Sequence, residues 1–209
     1  MKCILLLFVV TSACAASVLK GLPQGYKEGD RYFYFPKGDD DTPHLVDAYE
    51  PADLEFIEEY TRNPANNAYF LYTRRNPTTP QRLVLNDYNS LLTSNFEQLG
   101  TTVILAHGWG GNGRDNFNIQ LINAFLQDSD VNIIVLDWSR LASRSYSSAK
   151  AGTAAVGRGL AQFLHWLIAV EYYVGLGSFH LVGFSLGAHL VGNAGRAAAI
   201  GRSRVRRVT

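Results

Sequence analysis

The chain has 209 residues, 47% of them apolar and 18% charged, with a formal net charge of +1 and two cysteines, Cys3 and Cys14. A chain of this length can form one domain that buries roughly 70% of its unfolded surface. The composition excludes a disordered polyampholyte and a fibre, and equally a disulfide-stapled miniprotein or a globally basic nucleic-acid binder.

Lys2 precedes an apolar run from Ile4 to Val10, and small residues follow at Ser12, Ala13, Ala15 and Ala16. This is the pattern of a secretory signal peptide. Residues 1–16 are therefore expected to be an address and the mature protein to be secreted and extracellular. The run is far shorter than the ~20 apolar residues that span a bilayer, so no transmembrane segment is expected. Cleavage removes both cysteines, which leaves no disulfide, thiol nucleophile or cysteine metal site. No N-x-[ST] sequon occurs, because Asn76 is followed by Pro77.

Residues 17–60 read as an acidic N-terminal leader. From Ala16 to Tyr60 there are eleven acidic and four basic residues, against seven and fourteen from Thr61 to Thr209. The run Asp39-Asp40-Asp41 lacks the alternating ligand spacing of a calcium loop and reads as solvated. Pro51 to Tyr60 reads as a short helix, with Asp53 and Glu55 suited to its first turn. The arginines that crowd the end, among them Arg196, Arg202, Arg204 and Arg206, read as solvated charge, not as a nucleic-acid surface.

From residue 61 the pattern changes to alternating strands and helices. Ala68 to Tyr72 and Gln81 to Leu85 look like a hairpin. Thr102 to Ala106, Asn132 to Leu136 and Phe179 to Phe184 are short, unalternating apolar runs, as expected of strands buried on both faces. Phe117, Leu121, Ile122, Phe125 and Leu126 share one helical face. A longer helix is expected from about Gly152 to Glu171, another from Leu186 to Ala199, and a last strand from Val205. His165, inside the long helix, reads as a packing residue. The order predicts an α/β fold, a mostly parallel sheet with helices on both faces. Chemistry in such sheets sits at the carboxyl ends of the strands.

Gly183-Phe184-Ser185-Leu186-Gly187 occupies such a place. G-x-S-x-G between a buried strand and a helix is a nucleophile elbow, a turn so tight that Gly183 and Gly187 must lack side chains. It exposes the Ser185 hydroxyl and sets the Leu186 N–H at the positive end of a helix. His107-Gly108-Trp109, after an earlier strand, could bring the Trp109 N–H to the same oxygen, completing an oxyanion hole. A remote alternative reads Gly108, Gly110 and Gly113 as a G-x-G-x-x-G dinucleotide fingerprint with Asp137 as its ribose acid. Bulky Trp109 sits poorly in a pyrophosphate turn, and that reading leaves the serine elbow unexplained.

Together, AHGWGG after the first core strand, NIIVLDWS after the second and LVGFSLGAHLVGNAG around Ser185 resemble the pancreatic-type (neutral) lipase family of secreted animal lipases and phospholipases A1. The resemblance spans roughly Ala68 to Thr209. It implies an α/β-hydrolase fold, with residues 61–209 as a lipase domain. It further implies hydrolysis of lipid carboxylic esters at a lipid–water interface through a serine acyl-enzyme, without a cofactor. Ser185 matches the nucleophile, and Trp109 and Leu186 match the two oxyanion amides. Asp137 falls on a structural Asp-Trp pair, and His107 on a framework position. His189, one turn after Ser185, matches a position of no catalytic role. Phe184 departs from the histidine common there, and the absence of cysteines after residue 16 departs from disulfide-rich relatives.

A serine hydroxyl needs a histidine base oriented by a carboxylate, in the chain order Ser, Asp or Glu, His. After Ser185 the chain contains no acid and only His189. The domain is therefore expected to be C-terminally incomplete, a fragment without the triad acid and base and without lid or calcium loop. A non-catalytic lipid-binding or storage protein on the same scaffold is the alternative.

Overall fold

The computed structural model describes residues 30–209; the expected signal peptide and both cysteines lie outside them. A six-stranded sheet carries the molecule, in the order β4-β3-β6-β5-β7-β8. Its strands are β3 (Ala68–Tyr72), β4 (Gln81–Leu83), β5 (Thr102–Ala106), β6 (Asn132–Asp137), β7 (Phe179–Gly183) and β8 (Arg207–Val208). β3 runs antiparallel to both β4 and β6, and the pairs β6-β5, β5-β7 and β7-β8 are parallel. A separate antiparallel hairpin, β1 (Tyr32–Lys37) and β2 (Asp40–Asp47), precedes the sheet.

The central strands bury both faces because nearly every residue in them is apolar, and the two-residue period divides them between two cores. Ile104, Ala106, Ile134, Leu136, Phe179 and Leu181 face one side, where α5 (Tyr146–Val170) and α6 (Leu186–Ala198) pack. Val103, Leu105, Ile133, Val135 and Val182 face the other, covered by α3 (Asn116–Asp128) through Ile122 and Leu126. α1 (Leu54–Arg62), α2 (Tyr88–Leu92) and α4 (Ser139–Ala142) are short helices.

Several boundaries differ from expectation for local reasons. α1 starts three residues after Pro51, because the Asp53 carboxylate caps it by accepting the Phe56 N–H at 3.0 Å. α5 starts at Tyr146, six residues before Gly152, because Ser145 accepts the Ser148 N–H and fixes the first turn there. β4 stops at Leu83, and β8 is only Arg207–Val208.

Residues 32–60, set apart in sequence by their acidity, pack onto the larger core. Phe33 and Phe35 face inward from β1, Val46 from β2, and Ile57 and Tyr60 from α1. The acidic run does not form an open loop: Gly38 and Asp39 make the hairpin turn and Asp40 opens β2.

The large core is keyed by aromatic rings. Phe163 on α5 is fully buried and stacks on Tyr69 of β3 with centroids 3.7 Å apart. Tyr69 reaches back to the Gly159 carbonyl at 3.3 Å. Truncating Phe163→Ala should cost about 3–5 kcal/mol of stability. Urea unfolding should therefore show a lower midpoint at an unchanged slope.

Candidate active site

The carboxyl ends of β5 and β7 meet at the Ser185 turn. The chain must reverse there from a buried strand into α6 within two residues. Ser185 accordingly adopts φ 53° and ψ −121°, a conformation that L residues avoid and that a tight elbow imposes. The turn is tight because backbone meets backbone. A Cβ on Gly183 would fall on the Gly187 carbonyl group, and one on Gly187 would fall on the Ala106 carbonyl oxygen at the end of β5. Phe184 N–H donates to that same Ala106 carbonyl at 3.0 Å, and Gly187 N–H to the Phe184 carbonyl at 2.7 Å.

The segment after β5 lies directly against this elbow. A Cβ on Gly108 would stand 2.9 Å from the Ser185 Cβ. The Gly108 carbonyl accepts the Gly111 N–H at 3.2 Å and lies 3.0 Å from His107 Nδ1. The peptide is trans, so the Trp109 N–H points away from these two groups. Neither the Trp109 N–H nor the Leu186 N–H donates to any group among the described residues. The Ser185 hydroxyl is half-buried and likewise has no partner among the described residues.

His107 is fully buried and belongs to the frame. Trp138 N lies 3.2 Å and Asp137 Oδ1 3.6 Å from its Nε2, while its Nδ1 lies 3.0 Å from the Gly108 carbonyl oxygen. The Trp138 indole N–H closes the loop by donating to the His107 carbonyl at 3.0 Å, and the two rings stack. Asp137, at the end of β6, accepts the Gly113 N–H at 3.1 Å and the Ser139 N–H at 2.9 Å. It thus ties the glycine-rich loop to the next strand and does not reach Ser185.

The other histidines are engaged elsewhere or turned away. His44 bonds Asp40 in the hairpin, His165 the Ala198 carbonyl, and His180 the Thr209 hydroxyl. His189 is exposed on α6. Phe184, half exposed beside Ser185, stacks on Phe117 of α3 at 5.3 Å.

The dinucleotide reading meets a specific obstacle. The first turn of α3, where a pyrophosphate would sit, already holds two carboxylates. Asp39 accepts the Asn116 N–H at 2.9 Å and Asp115 accepts the Asn118 N–H at 3.1 Å. Asp39 comes from the hairpin turn, and its only signal in the sequence is an acid beside a glycine. A groove of about 510 Å³ between α3 and the β3–β4 connection, lined by Tyr72, Pro77, Pro80, Arg114 and Ile119 among others, includes none of Ser185, Trp109 and Leu186.

Burial pushes the Asp137 carboxyl up, but His107 and the hydrogen bonds from Ser139 outweigh it and hold it well below the usual carboxylate range. A folded pKa below the unfolded one stabilises the fold above about pH 4 and stops doing so as pH falls towards the folded value. Asp137→Asn should flatten this acid limb. Urea midpoints between pH 7 and pH 3 would fall less steeply in the variant than in the wild type.

Comparison with known proteins places these residues in context. The family model described as Lipase matches residues 47–209. The chain is 34% identical over 138 residues to inactive pancreatic lipase-related protein 1 of Mus musculus, covering 66% of this chain and 29% of that protein. It is 34% identical over 128 residues to pancreatic lipase-related protein 2 of Rattus norvegicus, covering 61% and 27%. With lipoprotein lipase of Gallus gallus it shares 32% over 144 residues, covering 66% and 29%. The chain thus spans less than a third of the length of these curated relatives.

Proposed function

This chain belongs to the lipase family, and from that premise we propose that it is the nucleophile-bearing part of a secreted serine hydrolase of lipid carboxylic esters, acylglycerols or phospholipids. The observation that carries the proposal is Ser185 at φ 53° with its hydroxyl unengaged, beside two backbone amides without partners. The α/β-hydrolase fold of the family and the mixed sheet agree with it.

In this reading the Ser185 oxygen attacks the ester carbonyl carbon. The carbonyl oxygen gains negative charge and accepts hydrogen bonds from the Trp109 and Leu186 amides, with the start of α6 adding its positive end. The alcohol leaves with a proton, an acyl-enzyme remains, and water releases the fatty acid. The base is assigned to none of this chain's five histidines, each of which has the other placement described above. The proposal therefore puts the base and its orienting acid on residues outside these 209. No described helix is long and apolar enough to cross a membrane, and the substrate would be met at a lipid–water interface. Secretion is proposed from the residue 1–16 pattern.

A second reading, a lipid-binding protein without catalysis, is favoured by one observation: no histidine is hydrogen-bonded to Ser185 among the described residues. One assay separates the two readings. The complete gene product should hydrolyse short-chain p-nitrophenyl esters and lipid emulsions, and Ser185→Ala should lower kcat/KM by about 10⁴–10⁶-fold. Binding to emulsions with no ester hydrolysis would support the second reading and reject the first.

A further inference from the structure

The segment 107–115 between β5 and α3 holds four glycines and no regular structure. Such a segment has high conformational freedom, and an amide within it can bind a developing oxyanion well only if something else fixes it. Inner contacts hold part of it: His107 and Gly111 bind the Gly108 carbonyl, and Asp137 binds the Gly113 N–H. The peptide after Trp109 is clamped at both ends. Its N–H, on Gly110, donates to the Ala142 carbonyl at 2.8 Å, and its carbonyl, on Trp109, accepts the Gly38 N–H at 2.8 Å.

Gly38 belongs to the β1–β2 turn, and its neighbours extend the grip. The Lys37 stem packs on Gly110, its ammonium lies 5.1 Å from the centre of the Trp109 ring, and it donates to the Ser143 carbonyl at 3.3 Å. His44 on β2 meets the same indole edge-on at 6.4 Å, while the indole N–H is held by the Arg144 carbonyl at 2.9 Å. Asp39 fixes the far end of the segment through the Asn116 N–H. Phe33 and Phe35 anchor the hairpin itself against Tyr146. The family match begins at residue 47, so the turn that makes these contacts precedes it.

From these contacts we infer that the Tyr32–Asp47 hairpin is a positioning element for the Trp109 amide, with Lys37, Gly38 and Asp39 as its working residues. The inference rests on the reading of Trp109 as an oxyanion-hole residue. The hairpin touches the segment only from outside and leaves the Trp109 N–H free. It sets the φ and ψ of Trp109 through the following peptide and the indole, and so aims the N–H without meeting substrate.

The test uses the complete gene product and the double variant Lys37→Ala/Asp39→Ala, with Gly38→Ala as a second variant. A Cβ on Gly38 would stand 2.8 Å from the Gly110 carbonyl oxygen and lift the turn off the segment. Amide hydrogen exchange should become about tenfold faster in peptides covering 107–116, with β5, β6 and β7 as protected as before. Ester hydrolysis should show kcat lowered about tenfold at unchanged KM. Lys37→Arg and Asp39→Asn, which keep a cation and an acceptor, should restore most of both. Unchanged exchange at 107–116 would overturn the inference whatever the activity. Faster exchange with unchanged kcat in an active enzyme would overturn it as well. Faster exchange in a protein whose wild-type and Ser185→Ala forms are equally inactive would remove the catalytic reading of Trp109 and leave the hairpin with a structural role only.

Discussion

The close approach of α6 to the end of β5 is the constraint on which the rest of the site depends. Gly187 sits where any Cβ would strike the Ala106 carbonyl, and Gly183 sits where one would strike Gly187 itself. These contacts leave the chain no path from strand to helix except through a left-handed residue, and that residue is Ser185. A strained conformation of this kind typically costs 1–3 kcal/mol and persists only where surrounding structure over-determines it. Here the determinants are the β5–β7 parallel pairing and the α6 packing on Leu190, Val191 and Ala194, all fully buried. The sheet thus generates the half-buried serine at the turn, and the helix start that follows supplies a free amide beside it.

A second layer of polar contacts holds the neighbouring loop to the same frame. His107, Trp138 and Asp137 lie at the ends of β5 and β6, and each spends its hydrogen bonds on backbone. Buried polar groups that are fully satisfied in this way rigidify a site. Reading His107 or Asp137 as a proton carrier would leave the loop geometry unexplained. The outer face of that loop is closed by the hairpin, which brings residues from the acidic N-terminal region to a distance where they act on Trp109.

Much of this was legible in the sequence, for identifiable physical reasons. β5, β6 and β7 announce themselves because strands covered on both faces are apolar throughout. The elbow is legible because its two glycines are demanded by sterics, and Trp109 and Leu186 follow from it by position and by resemblance. The hairpin was harder to read. Pro36, Pro43 and three successive aspartates conceal a strand pair whose alternation, Phe33 and Phe35 inward against Tyr32 and Tyr34 outward, is interrupted after five pairs by a bulge between Pro36 and Lys37. Nothing local reveals that Gly38 and Asp39 face residues 109 and 116. Those contacts join positions more than seventy residues apart and exist only once the larger core has formed.

The proposed chemistry requires that Ser185 be the residue that reacts. Treating the folded, complete gene product with a fluorophosphonate probe and mapping the adduct by mass spectrometry tests this directly. One adduct is expected, on Ser185, and it should be lost when the protein is unfolded before labelling. An adduct on another residue, or ester hydrolysis that continues while Ser185 remains unmodified, would contradict this chemistry.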